Sequence, residues 1–109
     1  MKKIILIATM LGVSAALSLK AADAKENWHS LCAKCHGAEG KGDTKIGEKL
    51  GCKDFSDAKV QADMKDAAAT KAIKEGLKSD SGKHLMKPFD NLSDDEIKAL
   101  VTYIRGLKK

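Results

Sequence analysis

The sequence is poor in aromatic residues: its 109 residues include two Phe, one Trp and one Tyr, which together make 4% of the chain. A short domain with so few large apolar side chains has little surface to bury, and small domains are marginally stable. Disulfides are the usual remedy in small exported proteins, but three cysteines permit one bridge and leave a thiol over. We therefore expect a cofactor to complete the core.

Long hydrophobic runs are also lacking, except at the N-terminus. Two lysines there precede an apolar stretch over residues 4–19, which is the pattern of a secretory signal peptide. Serine and threonine interrupt the stretch, so it is a poor membrane-spanning helix. We expect cleavage after Ala24. The chain would then consist of a signal peptide, residues 1–24, and a soluble domain, residues 25–109, that is periplasmic or otherwise exported and has no stable membrane insertion after cleavage; an uncleaved N-terminal anchor is the alternative.

Charge of one sign does not dominate this domain. It holds 17 Lys and Arg residues against 14 Asp and Glu residues, a net charge near +3, and the two signs alternate along the chain. The isolated Trp28 and Tyr103 are not interleaved with a basic patch, so we expect no nucleic-acid partner. A mildly basic exported domain favours a protein partner with an acidic docking surface.

Proline occurs once, at Pro88, and no alternating run of β-branched and aromatic residues marks a strand. The sequence therefore predicts one domain of the all-α class. The clearest helix is the last: Ser93 is a natural N-cap, Glu96 completes a capping box, and apolar residues follow at helical spacing.

Three further helices are predicted from apolar spacing and from the glycines that end them. Their predicted ranges are residues 26–35, 57–64 and 66–75. The segments between them, residues 37–51 and 77–91, are rich in glycine and polar residues and are predicted as loops. Both loops need a reason to be ordered, and a large ligand between them would supply one.

Cys32, Cys35 and His36 form a Cys-x-x-Cys-His motif, which has three interpretations: a redox dithiol, half of a zinc site, or a haem attachment point. A thioredoxin-like dithiol would follow a strand, and none is predicted here. A zinc site needs four ligands, but the remaining cysteine and histidines are not paired in sequence. One helical turn between the two sulfurs suits two vinyl groups on one porphyrin edge, with the histidine reaching the iron.

With these residues the sequence resembles the class I c-type cytochromes, small soluble monohaem electron carriers. Trp28 lies four residues before the first motif cysteine, as an aromatic residue does in that family. Residues 47–50, Gly-Glu-Lys-Leu, stand where the family has Gly-Pro-x-Leu, and Ile73-x-x-Gly76 matches its helix before the ligand loop. The resemblance implies the cytochrome c fold: three or four helices around one covalently attached haem c, with the N- and C-terminal helices crossing at Trp28.

The resemblance also implies site residues. His36 and Met86 would be the two iron ligands, and the Glu48 carbonyl would accept the other ring N–H of His36. His84 is the rival ligand, and Met64 is expected to fill the core. The residues expected to line the haem are Ile46, Leu50, Phe55, Ile73, Leu77, Leu85 and Phe89.

The function implied is that of an electron-transfer protein and not an enzyme: a soluble carrier that shuttles single electrons between respiratory or photosynthetic partners. Lys34, Lys41 and Lys87 would surround an exposed haem edge and steer an acidic partner. The alternatives are a haem-based gas sensor, in which Met86 is displaced, or a haem subunit of a dehydrogenase or peroxidase complex. We expect a monomer, although Cys52, if exposed, could form a disulfide dimer.

Overall fold

The structure is a computed structural model that describes residues 23–109; most of the predicted signal peptide lies outside this part of the chain. The first helix, α1, is helical throughout residues 23–36 and includes a π-helical turn at Trp28–Cys32 and a last α-helical turn at Ala33–His36. The elements that follow are α2 (Lys45–Leu50), α3 (Ala58–Asp63), α4 (Asp66–Glu75), β1 (Leu77–Lys78), β2 (His84–Met86) and α5 (Asp94–Arg105).

The predicted helices over residues 66–75 and after Ser93 are confirmed, and the predicted helix over residues 26–35 lies within α1. Helix α4 covers the predicted residues 66–75, and α5 begins after Ser93, whose hydroxyl accepts the Glu96 N–H at 3.1 Å. Glu96 in turn accepts the Ser93 N–H at 2.9 Å, which completes the capping box. Helix α3 is one residue shorter at each end than predicted, because the Asp57 carboxylate caps it and accepts the Lys59 N–H at 2.7 Å.

Helix α2 lies inside a segment predicted as a loop, so that prediction is wrong in part. Thr44 caps the helix: its hydroxyl accepts the Gly47 N–H at 2.8 Å. A glycine inside a six-residue helix weakens the sequence signal, because glycine lowers helix propensity. Gly47 is needed there because any Cβ would overlap the Cys35 carbonyl oxygen.

The second predicted loop contains a two-stranded antiparallel hairpin, which was not predicted. Leu77 pairs with Met86, and Lys78 pairs with His84, with an irregularity between the two pairs. The turn is closed by a hydrogen bond of 2.8 Å from the Ser79 N–H to the Lys83 carbonyl. The fold remains mostly helical, as predicted. Met86 is the last residue of the second strand of this hairpin.

Helices α1 and α5 meet at Trp28, as the family resemblance implied. Trp28 and Leu100 are each 1% exposed, and both belong to the main apolar cluster. The ring of Trp28 also contacts that of Tyr103, with centroids 5.8 Å apart. The other buried members of the cluster are Ile73, Ile97, Val101 and Ile104. Within residues 23–109, no helix has the length and apolar character needed to cross a bilayer.

Candidate functional site

The Cys-x-x-Cys-His motif lies at the end of α1: Cys32 is the last residue of the π-helical turn, and Cys35 and His36 belong to the α-helical turn that follows. Its three residues are half-buried, and two contacts attach them to the next segment. The Thr44 hydroxyl donates to the Cys35 carbonyl at 2.8 Å, and the Gly42 N–H donates to the His36 carbonyl at 2.7 Å. The motif is therefore held between α1 and the start of α2.

The two thiols of the motif are unpaired. Burial, together with the neighbouring Cys35, raises the pKa of Cys32 to about 11. The Cys32 thiol is then protonated at neutral pH, whereas dithiol redox catalysts depend on a lowered thiol pKa. This environment does not fit a redox dithiol, and it leaves both thiols available for covalent attachment.

The His36 imidazole is contacted by two aromatic rings. Its centroid lies 5.7 Å from that of Trp28 and 5.5 Å from that of Phe55. Burial lowers the pKa of His36, so the ring is neutral near pH 7, which is the form that ligates metals. Its Nδ1 atom is buried without a hydrogen-bond partner among the described residues.

The expected hydrogen bond from His36 to the Glu48 carbonyl is not formed. Glu48 lies within helix α2, and its carbonyl faces the end of that helix, where it accepts the Gly51 N–H at 3.4 Å. The Gly-Pro-x-Leu segment of the related cytochromes has a proline at this position, and a helix forms here without it. In this structure the Glu48 side chain is exposed and its carbonyl belongs to the helix end, so a role of Glu48 at the haem stays a prediction.

Met86 lies in strand β2, half-buried, and packs against the main apolar cluster. Met64 packs against the same cluster, whereas His84, two residues before Met86 in the strand, is exposed. The segment after β2 is fixed to α4 by a hydrogen bond of 2.9 Å from the Phe89 N–H to the Ile73 carbonyl.

The residues predicted to line the haem differ in exposure. Ile73 is buried, and Leu50, Phe55 and Phe89 are half-buried. The remaining three are large apolar side chains on the surface: Ile46 is 39% exposed, Leu77 49% and Leu85 39%. These three lie on α2 and on the hairpin, the two segments expected to border the haem, and an apolar group bound between these segments would cover them.

Gly76 fixes where the Met86 strand lies. Its φ is +79°, and a Cβ there would approach the Met86 carbonyl oxygen to 2.5 Å and the Pro88 nitrogen to 2.9 Å. We expect Gly76→Ala to lower the free energy of unfolding by about 1–3 kcal/mol through backbone strain alone. The overlap of the added Cβ with the Met86 and Pro88 backbone should lower it further. Gly82→Ala is the matched control, because Gly82 has a φ of +87° but no atom near its Cβ position. Thermal melts measure the difference. If both variants lowered the melting temperature equally, the added Cβ at Gly76 would not overlap the Met86 strand.

Both the sequence and the fold of the chain are similar to those of known cytochromes. Residues 19–104 match the family model described as "Cytochrome C oxidase, cbb3-type, subunit III". The solved structure "KustC0563 c-type cytochrome" is 38% identical to the chain, with a TM-score of 0.70 over 80% of this chain and 99% of that one. This chain belongs to the c-type cytochrome family.

A second solved structure, a point mutant of Kustc0563, is 37% identical, with a TM-score of 0.68 over 79% of this chain and 99% of the other. No protein with a curated description matches the chain. Members of the cytochrome family carry covalent haem c, and Cys32 and Cys35 have the Cys-x-x-Cys-His spacing that holds it. Haem-based electron transfer is the function that this family indicates.

The residues of this cytochrome fit a haem. Two unpaired thiols lie one turn apart beside a neutral imidazole, and large apolar side chains are exposed on the neighbouring segments. Among residues 23–109, no three His, Cys, Asp or Glu side chains come together as a metal-binding group. The zinc interpretation therefore finds no set of ligands in this part of the chain.

Sequence reasoning missed two residues that position the motif of the cytochrome, Thr44 and Gly47. The signal for Thr44 was present, since a threonine before a short amphipathic stretch is a common N-cap. The signal for Gly47 was noted only as part of a family resemblance, whereas its physical role is to let α2 approach the Cys35 carbonyl.

Cys52, the third thiol, is half-buried, and its N–H donates to the Gly47 carbonyl at 2.9 Å. Burial, and then the nearby Cys35, raises the pKa of Cys52 above its usual value. The Cys52 thiol is thus less reactive than a free cysteine at neutral pH.

Proposed function

We propose that the protein is a soluble one-electron carrier in which His36 and Met86 bind the two axial positions of a single haem c. The observation that carries this proposal is the position of the His36 imidazole, which is half-buried, in contact with two aromatic rings and adjacent to the second attachment cysteine. No other described histidine combines burial with a position in the attachment motif.

When bound, the haem supplies one-electron exchange at its iron. The chain's own residues then have three tasks. Cys32 and Cys35 attach the group covalently, so that it is not lost by dissociation. His36 and Met86 fill the axial positions, which leaves no open position for a substrate. Trp28 and Phe55 exclude water from the histidine, and this apolar surrounding favours the less charged, reduced state.

Voltammetry of the purified holoprotein tests this proposal. We expect one reversible one-electron wave, with no catalytic current when oxygen, peroxide or small organic substrates are added. A catalytic current would indicate an enzyme, and loss of the haem from the denatured polypeptide would refute covalent attachment.

The partners of the carrier are proposed to be redox proteins with acidic docking surfaces. Lys34 lies between the two attachment cysteines, Lys41 follows the motif, and Lys87 follows Met86; all three are exposed. We expect electron transfer to an acidic partner to slow on the order of tenfold when physiological salt replaces low salt, because salt screens the attraction.

Charge reversal of these lysines tests the steering. We expect Lys34→Glu and Lys87→Glu to lower the bimolecular rate constant at low salt and to remove most of its salt dependence. Lys59→Glu, on helix α3 and 85% exposed, is the control and should change little. A rate that is independent of ionic strength in the unaltered protein would contradict the proposal.

The proposal extends to location and oligomeric state. We propose export to the periplasm with cleavage after Ala24, and a monomer in solution, with a disulfide dimer through Cys52 as the alternative state. Half-burial of Cys52 favours the monomer. N-terminal sequencing of the mature protein should begin at Lys25, and a different first residue would overturn the cleavage site.

A non-reducing gel should show one monomeric band. A dimer band that disappears with reductant would overturn the monomer.

A second candidate function is that of a haem module within a larger complex. The family model that matches the chain is described as a subunit of a cbb3-type oxidase, and this description favours it. Purification of the untagged holoprotein under mild conditions separates the two: a carrier elutes alone, whereas a module elutes with a membrane complex.

A further inference from the structure

Gln61 is the buried polar residue of the described core, 5% exposed, and it lies on helix α3 outside the attachment motif. Its side-chain Nε2 donates to the Phe55 carbonyl at 2.7 Å and to the Ile104 carbonyl at 2.8 Å. Its Oε1 accepts from Arg105 Nη1 at 3.2 Å. Both amide protons are used, so the side chain has one fixed orientation.

Arg105 holds Gln61 from the other side. Its Nη1 donates to the Gln61 carbonyl at 2.6 Å and its Nη2 to the Met64 carbonyl at 2.7 Å, which caps the end of α3. Its Nε and Nη2 bind the exposed Asp66 carboxylate at 2.9 and 2.7 Å. The end of α5, which contains Ile104 and Arg105, is thereby joined to α3 through Gln61.

Phe55 connects this network to the haem-binding motif. Its carbonyl is held by Gln61, and its N–H donates to the Gly40 carbonyl at 2.7 Å, so the backbone of Phe55 is fixed on both sides. Its ring contacts the His36 imidazole, with centroids 5.5 Å apart and planes inclined by 32°.

The position of the His36 ring depends on such contacts. A metal-ligating histidine usually donates its second ring N–H to a carbonyl or carboxylate, which fixes the orientation of the ring. His36 Nδ1 has no such partner among the described residues, and the Glu48 carbonyl is engaged by its own helix end. The rings of Trp28 and Phe55 are therefore the contacts that orient the imidazole.

We propose that Gln61 is a positioning residue for His36: by holding the Phe55 carbonyl, it fixes the aromatic ring that orients the axial imidazole. This inference rests on the proposed role of His36 as an iron ligand. In Gln61→Met, whose side chain is of similar length and cannot donate, the Phe55 carbonyl loses the side-chain donor that holds it, the Ile104 carbonyl keeps the Leu107 N–H, and the Phe55 ring shifts.

The test compares holoprotein variants by two readouts: the hyperfine-shifted NMR resonances of the His36 ring in the oxidised state, and the reduction potential. We expect Gln61→Met to move these resonances and to change the equilibrium constant for reduction roughly threefold, about 28 mV at 59 mV per tenfold. Asp66→Asn, which removes only the outer ion pair of Arg105, is the matched control and should change neither readout.

A double-mutant cycle separates positioning from general loss of packing. Phe55→Leu removes the ring contact directly and should move the same resonances. If Gln61 acts through Phe55, the double variant shifts them no further than Phe55→Leu alone. Additive shifts, or unchanged His36 resonances in a folded Gln61→Met, would overturn the inference.

Gln61→Glu provides a second variant if Gln61→Met does not fold. It keeps an acceptor for Arg105 but removes both donated hydrogen bonds, so the His36 resonances should move. Because this variant also adds a charge, only the resonances are compared, and unchanged resonances would again overturn the inference. Failure of the underlying function has a different result: if His36 were not an iron ligand, the unaltered protein would show no hyperfine-shifted His36 resonances.

Discussion

His36→Ala is expected to abolish the low-spin haem spectrum of the protein while the haem remains covalently attached. Cys32 and Cys35 still bind the porphyrin, but the iron loses the half-buried imidazole that lies beside them. A five-coordinate or water-ligated iron is then high-spin, and its reduction potential is no longer that of a His/Met centre. Absorption and electron paramagnetic resonance spectra of the purified variant measure the change.

His29→Ala is the matched control for this prediction. His29 lies on the same helix, seven residues earlier, but it is exposed and outside the attachment motif. Its removal should leave the low-spin spectrum intact. A His36→Ala protein that retained the full low-spin spectrum would show that another residue is the proximal ligand.

Met86→Ala is expected to have the second largest effect. In the oxidised protein we expect a weak absorption band near the red end of the spectrum, from sulfur bonded to iron, and this variant should lose it. The reduction potential should fall, because methionine stabilises the ferrous state. The loss of packing against the core should also lower the free energy of unfolding by about 2 kcal/mol.

Met64→Ala controls for that loss of packing. Met64 is half-buried and packs against the same apolar cluster as Met86, so a similar loss of stability is expected with the red band retained. His84→Ala should likewise retain the band, because His84 is exposed. If His84→Ala lost the axial ligation while Met86→Ala kept it, the histidine would be the sixth ligand.

The helices that could be predicted from the sequence are those with complete end signals. Helix α5 has a capping box at Ser93, and α4 ends before Gly76, so the bounds of α4 and the beginning of α5 agree with the prediction. The crossing of the N- and C-terminal helices at Trp28 was implied by the family resemblance and is confirmed by the contacts of Trp28 with Leu100 and Tyr103.

The elements that were missed depend on contacts distant in sequence. Helix α2 is only six residues long and contains Gly47, so its local propensity is low. It forms against the end of α1, where Thr44 reaches the Cys35 carbonyl. The hairpin has strands of two and three residues, too short to show alternation, and Gly76 permits its close approach.

Two features of the site could not be predicted from the sequence, because they too depend on contacts between residues distant in the chain. The Glu48 carbonyl was expected to accept from His36, but without proline its segment becomes helical and directs the carbonyl to the helix end. Glutamine is mostly found on protein surfaces, and the burial of Gln61 becomes evident only when α3 and α5 are packed together. The chemistry of the motif was readable from its spacing, whereas the contacts that orient it were not.

The absorption spectrum of the ferrous protein with and without carbon monoxide tests the central claim most directly. The claim is that side chains of the chain fill both axial positions of the haem. Met86→Ala serves as the positive control, since its open position should bind the gas. For the unaltered protein we predict a low-spin spectrum that carbon monoxide leaves unchanged. Conversion to a carbonmonoxy spectrum would contradict the account and indicate a ligand-binding haem.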